Sequence, residues 1–290
     1  MFAEGVEKAQ DVNAAFASPE DAARYWAVGA KQVPTETFSY PGSAGQAQTA
    51  RLYRGDDGAP VLIFIHGGGW TNGSIALNDR ACGALAAEAG WNILSISYRL
   101  SPKHPFPAGL DDCRAALRWL RGGGLGFTPA RIAIGGASAG GNLALACALA
   151  EGGALAALLL FYPVCGDDFD TASYQRYAEG YGLALARMQE LFSLYDPEML
   201  HRDNPLLYPL KGDLSGLPHC EIISAELDVL ADDSRHLAER LKQTGVSHAL
   251  HIEPGVTHGF INRGRLIPAA DQCLTRAAHA LKSLFESEPT

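Results

Sequence analysis

The sequence lacks several features that would assign it to other classes of protein. Its six cysteines form no CxxC pair and most lie in apolar stretches, so we expect buried free thiols rather than disulfides. The chain has a net charge of −9 and no cluster of lysines and arginines. This charge argues against binding of nucleic acid and, more weakly, against strongly anionic substrates. Internal repeats and low-complexity segments are also absent.

Signals for export or membrane insertion are missing as well. The N-terminal stretch MFAEGVEKAQDVNAAFAS has no apolar core of signal-peptide length. The longest apolar run, at 154–164, is too short to span a bilayer. We therefore expect a cytoplasmic protein with no membrane contact.

What the sequence does contain is an alternation of strand-like and helix-like stretches. Apolar runs such as PVLIFIH at 60–66 and RIAIG at 131–135 are typical of strands buried on both faces, and amphipathic or alanine-rich stretches follow them. This alternation predicts an α/β fold with a mostly parallel central sheet and helices on both faces. We interpret residues 1–290 as one domain, in which about 1–35 and 166–209 form a helical cap.

The pentapeptide Gly136-Ala137-Ser138-Ala139-Gly140 matches the G-x-S-x-G motif of serine hydrolases. It lies between a predicted strand and a predicted helix, which is where a sharp turn exposes a nucleophilic serine. The helix N-terminus also favours developing negative charge there. The alternative is that Ser138 only caps the helix. The context favours Ser138 as the nucleophile.

A glycine-rich loop follows the strand PVLIFIH, in His66-Gly67-Gly68-Gly69-Trp70. Consecutive glycines allow backbone N–H groups to point at the oxyanion of a tetrahedral intermediate. We predict Gly67, Gly68 and Ala139 as the donors, and the sequence leaves Gly69 open in place of Gly67. A nucleotide-binding P-loop is not indicated, because no Lys-Ser or Lys-Thr pair follows the glycines. We expect His66 to hold the loop by hydrogen bonds.

A serine nucleophile needs a base, and the base needs a carboxylate. Among nine histidines, His258 is favoured because it follows the last predicted strand, at 249–253, where a loop can bring it over Ser138. Asp228 follows the preceding strand and completes the chain order serine, acid, histidine. Glu226 is the main rival for the acid. Asp232 and Asp233 fit better as charges in the first turn of the next helix.

With these residues assembled, the chain resembles the hormone-sensitive-lipase-like carboxylesterases, also called bacterial family IV. The shared segments are HGGGW at 66–70, SYRLSPKHPFPAGLDD at 97–112, GGASAGGNLA at 135–144, ELDVLADD at 226–233 and THGF at 257–260. The resemblance implies an α/β-hydrolase fold and hydrolysis of short-to-medium acyl esters, with no cofactor and no metal. It assigns the same triad, Ser138, Asp228 and His258, and the same oxyanion donors. Ala137 departs from the Asp or Thr common in the family, and other departures near Tyr98 and Asp228 indicate a divergent branch.

Two alternatives to an esterase stay open at this point. One is an arylformamidase-like amidase that uses the same triad. The other is a ligand-binding receptor on the same scaffold, which the presence of His258 disfavours. The expected partner is a small-molecule ester, and exposed edge strands of such a sheet would allow a homodimer.

The substrate pocket is the least determined part of the sequence-based account. Aromatic residues beside the glycine loop and in the second cap segment either wall the pocket or pack the cap against the core. The residues in question are Trp70, Tyr174, Tyr177, Tyr181 and Phe192. Trp70 is also a candidate for limiting the length of the acyl chain.

Overall fold

The computed structural model describes residues 1–151 and 155–286. The first residue of the apolar run at 154–164 and the last four residues of the predicted domain lie outside these ranges. Within them, no helix is both long enough and apolar enough to cross a membrane.

Eight strands form one sheet in the spatial order β1-β2-β4-β3-β5-β6-β7-β8. Their bounds are Thr35–Pro41 (β1), Ala47–Tyr53 (β2), Val61–Ile65 (β3), Asn92–Ile96 (β4), Ile132–Ala137 (β5), Ala157–Phe161 (β6), His219–Leu227 (β7) and His248–Thr257 (β8). The pairs β1–β2 and β2–β4 are antiparallel, and the remaining pairs are parallel. The predicted fold class, a mostly parallel sheet in an α/β-hydrolase fold, is confirmed.

The described helices cover both faces of the sheet. Their bounds are Val6–Ala14 (α1), Pro19–Ala27 (α2), Asp79–Ala89 (α3), Ala108–Arg121 (α4), Ala139–Glu151 (α5), Ala172–Arg176 (α6), Leu185–Tyr195 (α7), Ala231–Gln243 (α8) and Pro268–Glu286 (α9). Apolar residues of α4, α5 and α8 join one buried cluster, and those of α3 and α9 join the other.

The burial of both faces of strand β3 explains why its sequence is apolar throughout. Val61, Ile63 and Ile65 belong to the first cluster, whereas Leu62 and Phe64 belong to the second. All five side chains are fully buried, because successive residues of a strand point to opposite faces and both faces are covered by helices.

The parallel arrangement brings the carboxyl ends of four strands to one edge of the sheet. The glycine loop begins directly after β3, Ser138 follows β5, Asp228 follows β7 and His258 follows β8. Strand β8 continues to Thr257, beyond the predicted end at residue 253, and β7 carries an irregularity between Ala225 and Leu227. These details determine where Asp228 and His258 leave the sheet.

The segment that follows β6 is held to helix α8 by a buried carboxylate. Asp233, in the first turn of α8, accepts hydrogen bonds from the backbone N–H groups of Cys165 (2.7 Å) and Gly166 (3.1 Å). Burial is the main reason that the pKa of Asp233 is raised from 3.8 to about 7, and the two N–H donors only partly offset it. The neighbouring Asp232 lies nearer to solvent, accepts from the Ser173 N–H and pairs with Arg235.

This arrangement predicts a pH dependence of stability that Asp233→Asn removes. A raised pKa in the folded state contributes stability that is present below the unfolded pKa and lost as the pH rises through the folded value. We expect the melting temperature of the wild type, relative to Asp233→Asn, to fall between about pH 4 and pH 7 and then to level off. The corresponding free energy is at most about 4 kcal/mol. Thermal melts of both proteins across this range provide the measurement.

Asp232→Asn is the matched control, because its hydrogen bonds lower the pKa of the Asp232 carboxyl. The contribution of Asp232 to stability therefore has the opposite pH dependence: it is present at neutral pH and is lost only as the pH falls through acidic values. The account of Asp233 is wrong if the difference between the wild type and Asp233→Asn stays flat, or rises, as the pH increases to 7.

Candidate active site

Ser138 sits on a strained turn between β5 and α5. Its φ angle of 58° lies in the left-handed region that serine rarely adopts. Glycine is required on both sides of it, since a Cβ at Gly136 would lie 2.4 Å, and one at Gly140 2.1 Å, from the Ile65 carbonyl oxygen. The tight packing of β3, β5 and α5 thus places Ser138 at the carboxyl edge of the sheet. Its hydroxyl faces His258 rather than capping α5.

Ser138, His258 and Asp228 are joined by two short hydrogen bonds. Ser138 Oγ lies 2.8 Å from His258 Nε2, and His258 Nδ1 lies 2.6 Å from Asp228 Oδ2. A carboxylate oxygen accepts hydrogen bonds, so Nδ1 carries the proton and Nε2 is free to accept one from the serine. Asp228 is almost fully buried, and its second oxygen accepts the Leu230 N–H.

The rival acids lie elsewhere in the structure. Glu226 Oε2 accepts the Gly255 N–H at 2.7 Å and so supports the end of β8 before His258. Asp232 and Asp233 lie in the first turn of α8, as expected, and bind the segment after β6. Among the four candidate carboxylates, the histidine therefore contacts Asp228.

The glycine loop approaches Ser138 too closely for larger residues. A Cβ at Gly67 would lie 2.8 Å from the Ala137 carbonyl oxygen and 3.3 Å from Ser138 Cβ, and Gly68 has a φ angle of 120°. In the part of the chain that the structure describes, the amides of Gly67, Gly68, Gly69 and Ala139 donate to no protein acceptor. Amides that face the cavity without a protein acceptor are available to a ligand oxygen.

His66 holds the glycine loop in place. Its ring stacks on Tyr98 with a centroid separation of 4.4 Å, and its Nδ1 lies 2.8 Å from the Gly67 carbonyl oxygen. Burial lowers the pKa of His66 to about 4, so the ring is neutral at pH 7 and Nδ1 donates to the carbonyl. The Tyr98 hydroxyl donates to the His66 carbonyl, which fixes the loop to the segment after β4.

A cavity of about 300 Å³ opens onto Ser138, His258 and the glycine loop. Both predicted cap segments reach it: Asn13 and Trp26 come from residues 1–35, and Leu183, Met188 and Leu191 come from residues 166–209. The volume lies at the lower end of the range for small-molecule sites, which is about 300–1,000 Å³.

The aromatic residues considered from the sequence are not among those that line this cavity. The indole of Trp70 is buried and stacks on Tyr195 with a centroid separation of 4.4 Å. The others lie in the second predicted cap segment and pack into the first buried cluster: Tyr174, Tyr177, Tyr181 and Phe192. The structure thus favours the packing interpretation over the one in which these rings wall the pocket.

Apart from the glycine loop, Ser138 and His258, sequence reasoning missed the residues that line the cavity. Beyond the apolar cap residues, these include Asn72, Asn78, Asn262 and Arg263. The sequence does carry a signal for two of them: Asn262 and Arg263 lie four and five residues after His258. In the described ranges, no three His, Cys, Asp or Glu side chains lie close enough together to bind a metal ion.

A family model described as the alpha/beta hydrolase fold matches residues 62–262, which include the glycine loop, the serine turn, Asp228 and His258. The chain belongs to this family. The hydrolase is 39% identical over 236 residues to carboxylesterase NlhH of Mycobacterium tuberculosis, covering 78% of this chain and 74% of that protein. It is 36% identical over 251 residues to an ethyl acetate hydrolase of Pseudomonas putida, covering 82% and 79%.

Solved structures agree with these sequence relatives. The ester-hydrolase EH1AB1 from the metagenome of Lake Arreo superposes with a TM-score of 0.87 at 30% identity, covering 99% of this hydrolase and 100% of that chain. A thermostable esterase from Pseudomonas putida superposes with a TM-score of 0.85 at 27% identity, covering 98% and 99%. The resemblance to hormone-sensitive-lipase-like carboxylesterases is confirmed, and the hydrolase is a carboxylic ester hydrolase.

Proposed function

We propose that the hydrolase cleaves esters of short-to-medium-length acids through an acyl-enzyme on Ser138. The observation that carries this proposal is the continuous hydrogen-bonded chain from Ser138 Oγ through His258 to Asp228. His258 Nε2 takes the hydroxyl proton as Oγ attacks the ester carbonyl carbon. Asp228 holds the ring in the required tautomer and stabilises the imidazolium that forms.

The amides of Gly67, Gly68 and Ala139 stabilise the oxyanion of both tetrahedral intermediates. They are unpaired next to the serine, and each such donor is worth about 3–4 kcal/mol of the barrier. His258 gives its proton to the leaving alcohol oxygen as the first intermediate collapses. A water molecule then attacks the acyl carbon and passes a proton to His258, and Ser138 Oγ leaves with that proton to release the acid.

Residues 1–35 and 166–209 act as a cap that sets substrate size. Both segments line the same small cavity, and Leu191 lies against Gly69 of the glycine loop. An acyl chain therefore meets the apolar side chains of Leu183, Met188 and Leu191 soon after it leaves the serine. Trp70 does not face the cavity, so any limit on acyl length comes from the cap residues.

An acyl-length series tests this function. We expect kcat/KM for p-nitrophenyl acetate and butyrate to exceed that for the decanoate by about tenfold or more, because loss of fit in an enclosed pocket costs about 1–3 kcal/mol. Equal rates across the series would contradict the size limit. Preferential turnover of N-formylkynurenine over aryl acetates would instead favour the arylformamidase-like alternative.

A further inference from the structure

One charged side chain in the cavity is not used by the ester-cleaving residues. Arg263 lines the cavity in which Ser138 and His258 lie. Its guanidinium is beside the residue that follows the histidine, since a Cβ at Gly259 would lie 3.6 Å from Arg263 Nη2. Gly259 has a φ angle of 76°, which turns the chain from β8 toward Arg263.

Arg263 differs from the neighbouring arginines in having no acidic partner among the described residues. Arg80 pairs with Asp271, Arg276 pairs with Glu253, and Arg265 lies over the Tyr25 ring. In the described ranges, the Arg263 side chain makes no hydrogen bond or ion pair, and its electrostatic neighbour is the buried Tyr162, whose hydroxyl also lacks a hydrogen-bond partner. Burial lowers the pKa of Arg263. A partly buried guanidinium without a counter-charge raises the free energy of the unliganded protein, and an anion in the cavity would relieve that cost.

The remaining residues that line the cavity place no negative charge beside Arg263. Among the described residues that line the cavity there is no Asp or Glu, and the second arginine, Arg187, is paired at the surface with Glu190. Asn72, Asn78 and Asn262 supply further polar groups. Asp228 is separated from the cavity by His258, with which it is hydrogen-bonded. The cavity is thus locally positive in a chain whose net charge is −9.

We propose that Arg263 binds a carboxylate carried by the ester substrate, so that the hydrolase prefers monoesters that bear a second, ionised acid group. This inference rests on the proposed function of Ser138. An arginine fork matches the planar carboxylate and makes charge-assisted hydrogen bonds to it. His258 protonates the leaving oxygen, and Arg263 lies next to Gly259, so the alcohol portion of the ester is the expected carrier. The acidic composition of the whole chain is therefore a poor guide to the substrate.

The test compares each charged ester with its uncharged amide of the same shape. The alcohol-side pair is 4-acetoxybutanoate and 4-acetoxybutanamide, and the acyl-side pair is monoethyl succinate and ethyl succinamate. We expect wild-type kcat/KM to be about 10-fold to 100-fold higher for the carboxylate in one pair, as charge-assisted hydrogen bonds warrant. The pair that shows the preference identifies the side of the ester that Arg263 recognises.

Substitution of Arg263 then separates recognition from chemistry. In Arg263→Met, the kcat/KM for the carboxylate divided by that for the amide is expected to fall to about one. In Arg263→Lys, a part of the preference for the carboxylate returns. Arg265→Met, two residues away and outside the cavity, is the matched control and keeps the wild-type ratio. Melting temperatures show whether each variant is folded.

Three outcomes overturn the proposal: wild-type ratios near one in both pairs, an unchanged ratio in folded Arg263→Met, or a loss of preference in Arg265→Met alone. They are distinct from failure of the proposed function, in which the wild type turns over neither the charged nor the neutral esters.

Discussion

Replacing Ser138 with alanine is expected to lower kcat on p-nitrophenyl acetate by about 10⁴-fold to 10⁶-fold, with the fold intact. The reason is that Oγ is both the atom that attacks and the atom that carries the acyl group. In the variant, His258 loses its 2.8 Å hydrogen bond to the serine but keeps Asp228. The oxyanion amides are retained, so a small residual rate over the uncatalysed reaction remains. Steady-state assays with highly purified protein provide the measurement.

Ser193→Ala is a suitable control for this substitution. Ser193 lies on the exposed side of α7, and its hydroxyl donates to the Glu190 carbonyl of the same helix. We expect this variant to retain the wild-type rate. Activity of Ser138→Ala within about tenfold of the wild type would mean that another group performs the attack.

The second large effect is expected for Asp228→Asn, at about 10⁴-fold in kcat. Asparagine has nearly the same shape, but its amide nitrogen donates hydrogen bonds where the carboxylate accepts one from His258 Nδ1. The imidazole is then free to adopt the wrong tautomer, with the proton on Nε2, and the imidazolium loses its counter-charge. The pH–rate profile of the variant, measured beside the wild type, shows whether activity returns only at alkaline pH.

Glu226→Gln is the control, because Glu226 was the rival acid in the sequence and accepts the Gly255 N–H instead. A glutamine oxygen can accept that same hydrogen bond, so less than about tenfold loss is expected. If Glu226→Gln were the more damaging of the two substitutions, the assignment of Asp228 as the partner of the base would be contradicted.

Most of the sheet could be predicted because its strands are short apolar runs with clear ends. The run PVLIFIH became β3 within one residue at each end, and RIAIG became β5 with a short extension. The main boundary error is at β8, which was predicted to end at residue 253 and continues to Thr257. Pro254 and Gly255 are poor strand residues, and the Glu226 carboxylate satisfies the Gly255 N–H there. Such support from a distant side chain is not visible in the local sequence.

The meeting of Ser138, Asp228 and His258 followed from topology more than from any single motif. Parallel strands end at one edge, so residues directly after β5, β7 and β8 are brought together even though 120 positions separate Ser138 from His258. The glycine loop after β3 arrives at that edge for the same reason.

The residues that line the cavity were much harder to predict from the sequence. Whether an aromatic side chain walls a pocket or fills a core depends on the orientation of its helix or loop, and composition does not specify that orientation. Trp70 and Phe192 turned toward the core, whereas Asn13 and Leu183 face the cavity. Arg263 and Asp233 stand out only because of what surrounds them: one has no counter-charge, and the other is a buried carboxylate with two amide donors.

The most direct test of Ser138 as the activated nucleophile is covalent labelling with a small fluorophosphonate, followed by intact-mass measurement and peptide mapping. The account predicts one adduct for each chain, located on Ser138, with loss of esterase activity in step with labelling. It also predicts no adduct in Ser138→Ala and much slower labelling of the wild-type serine when His258 is replaced. Labelling of a different residue, or full esterase activity in protein labelled at Ser138, would contradict it.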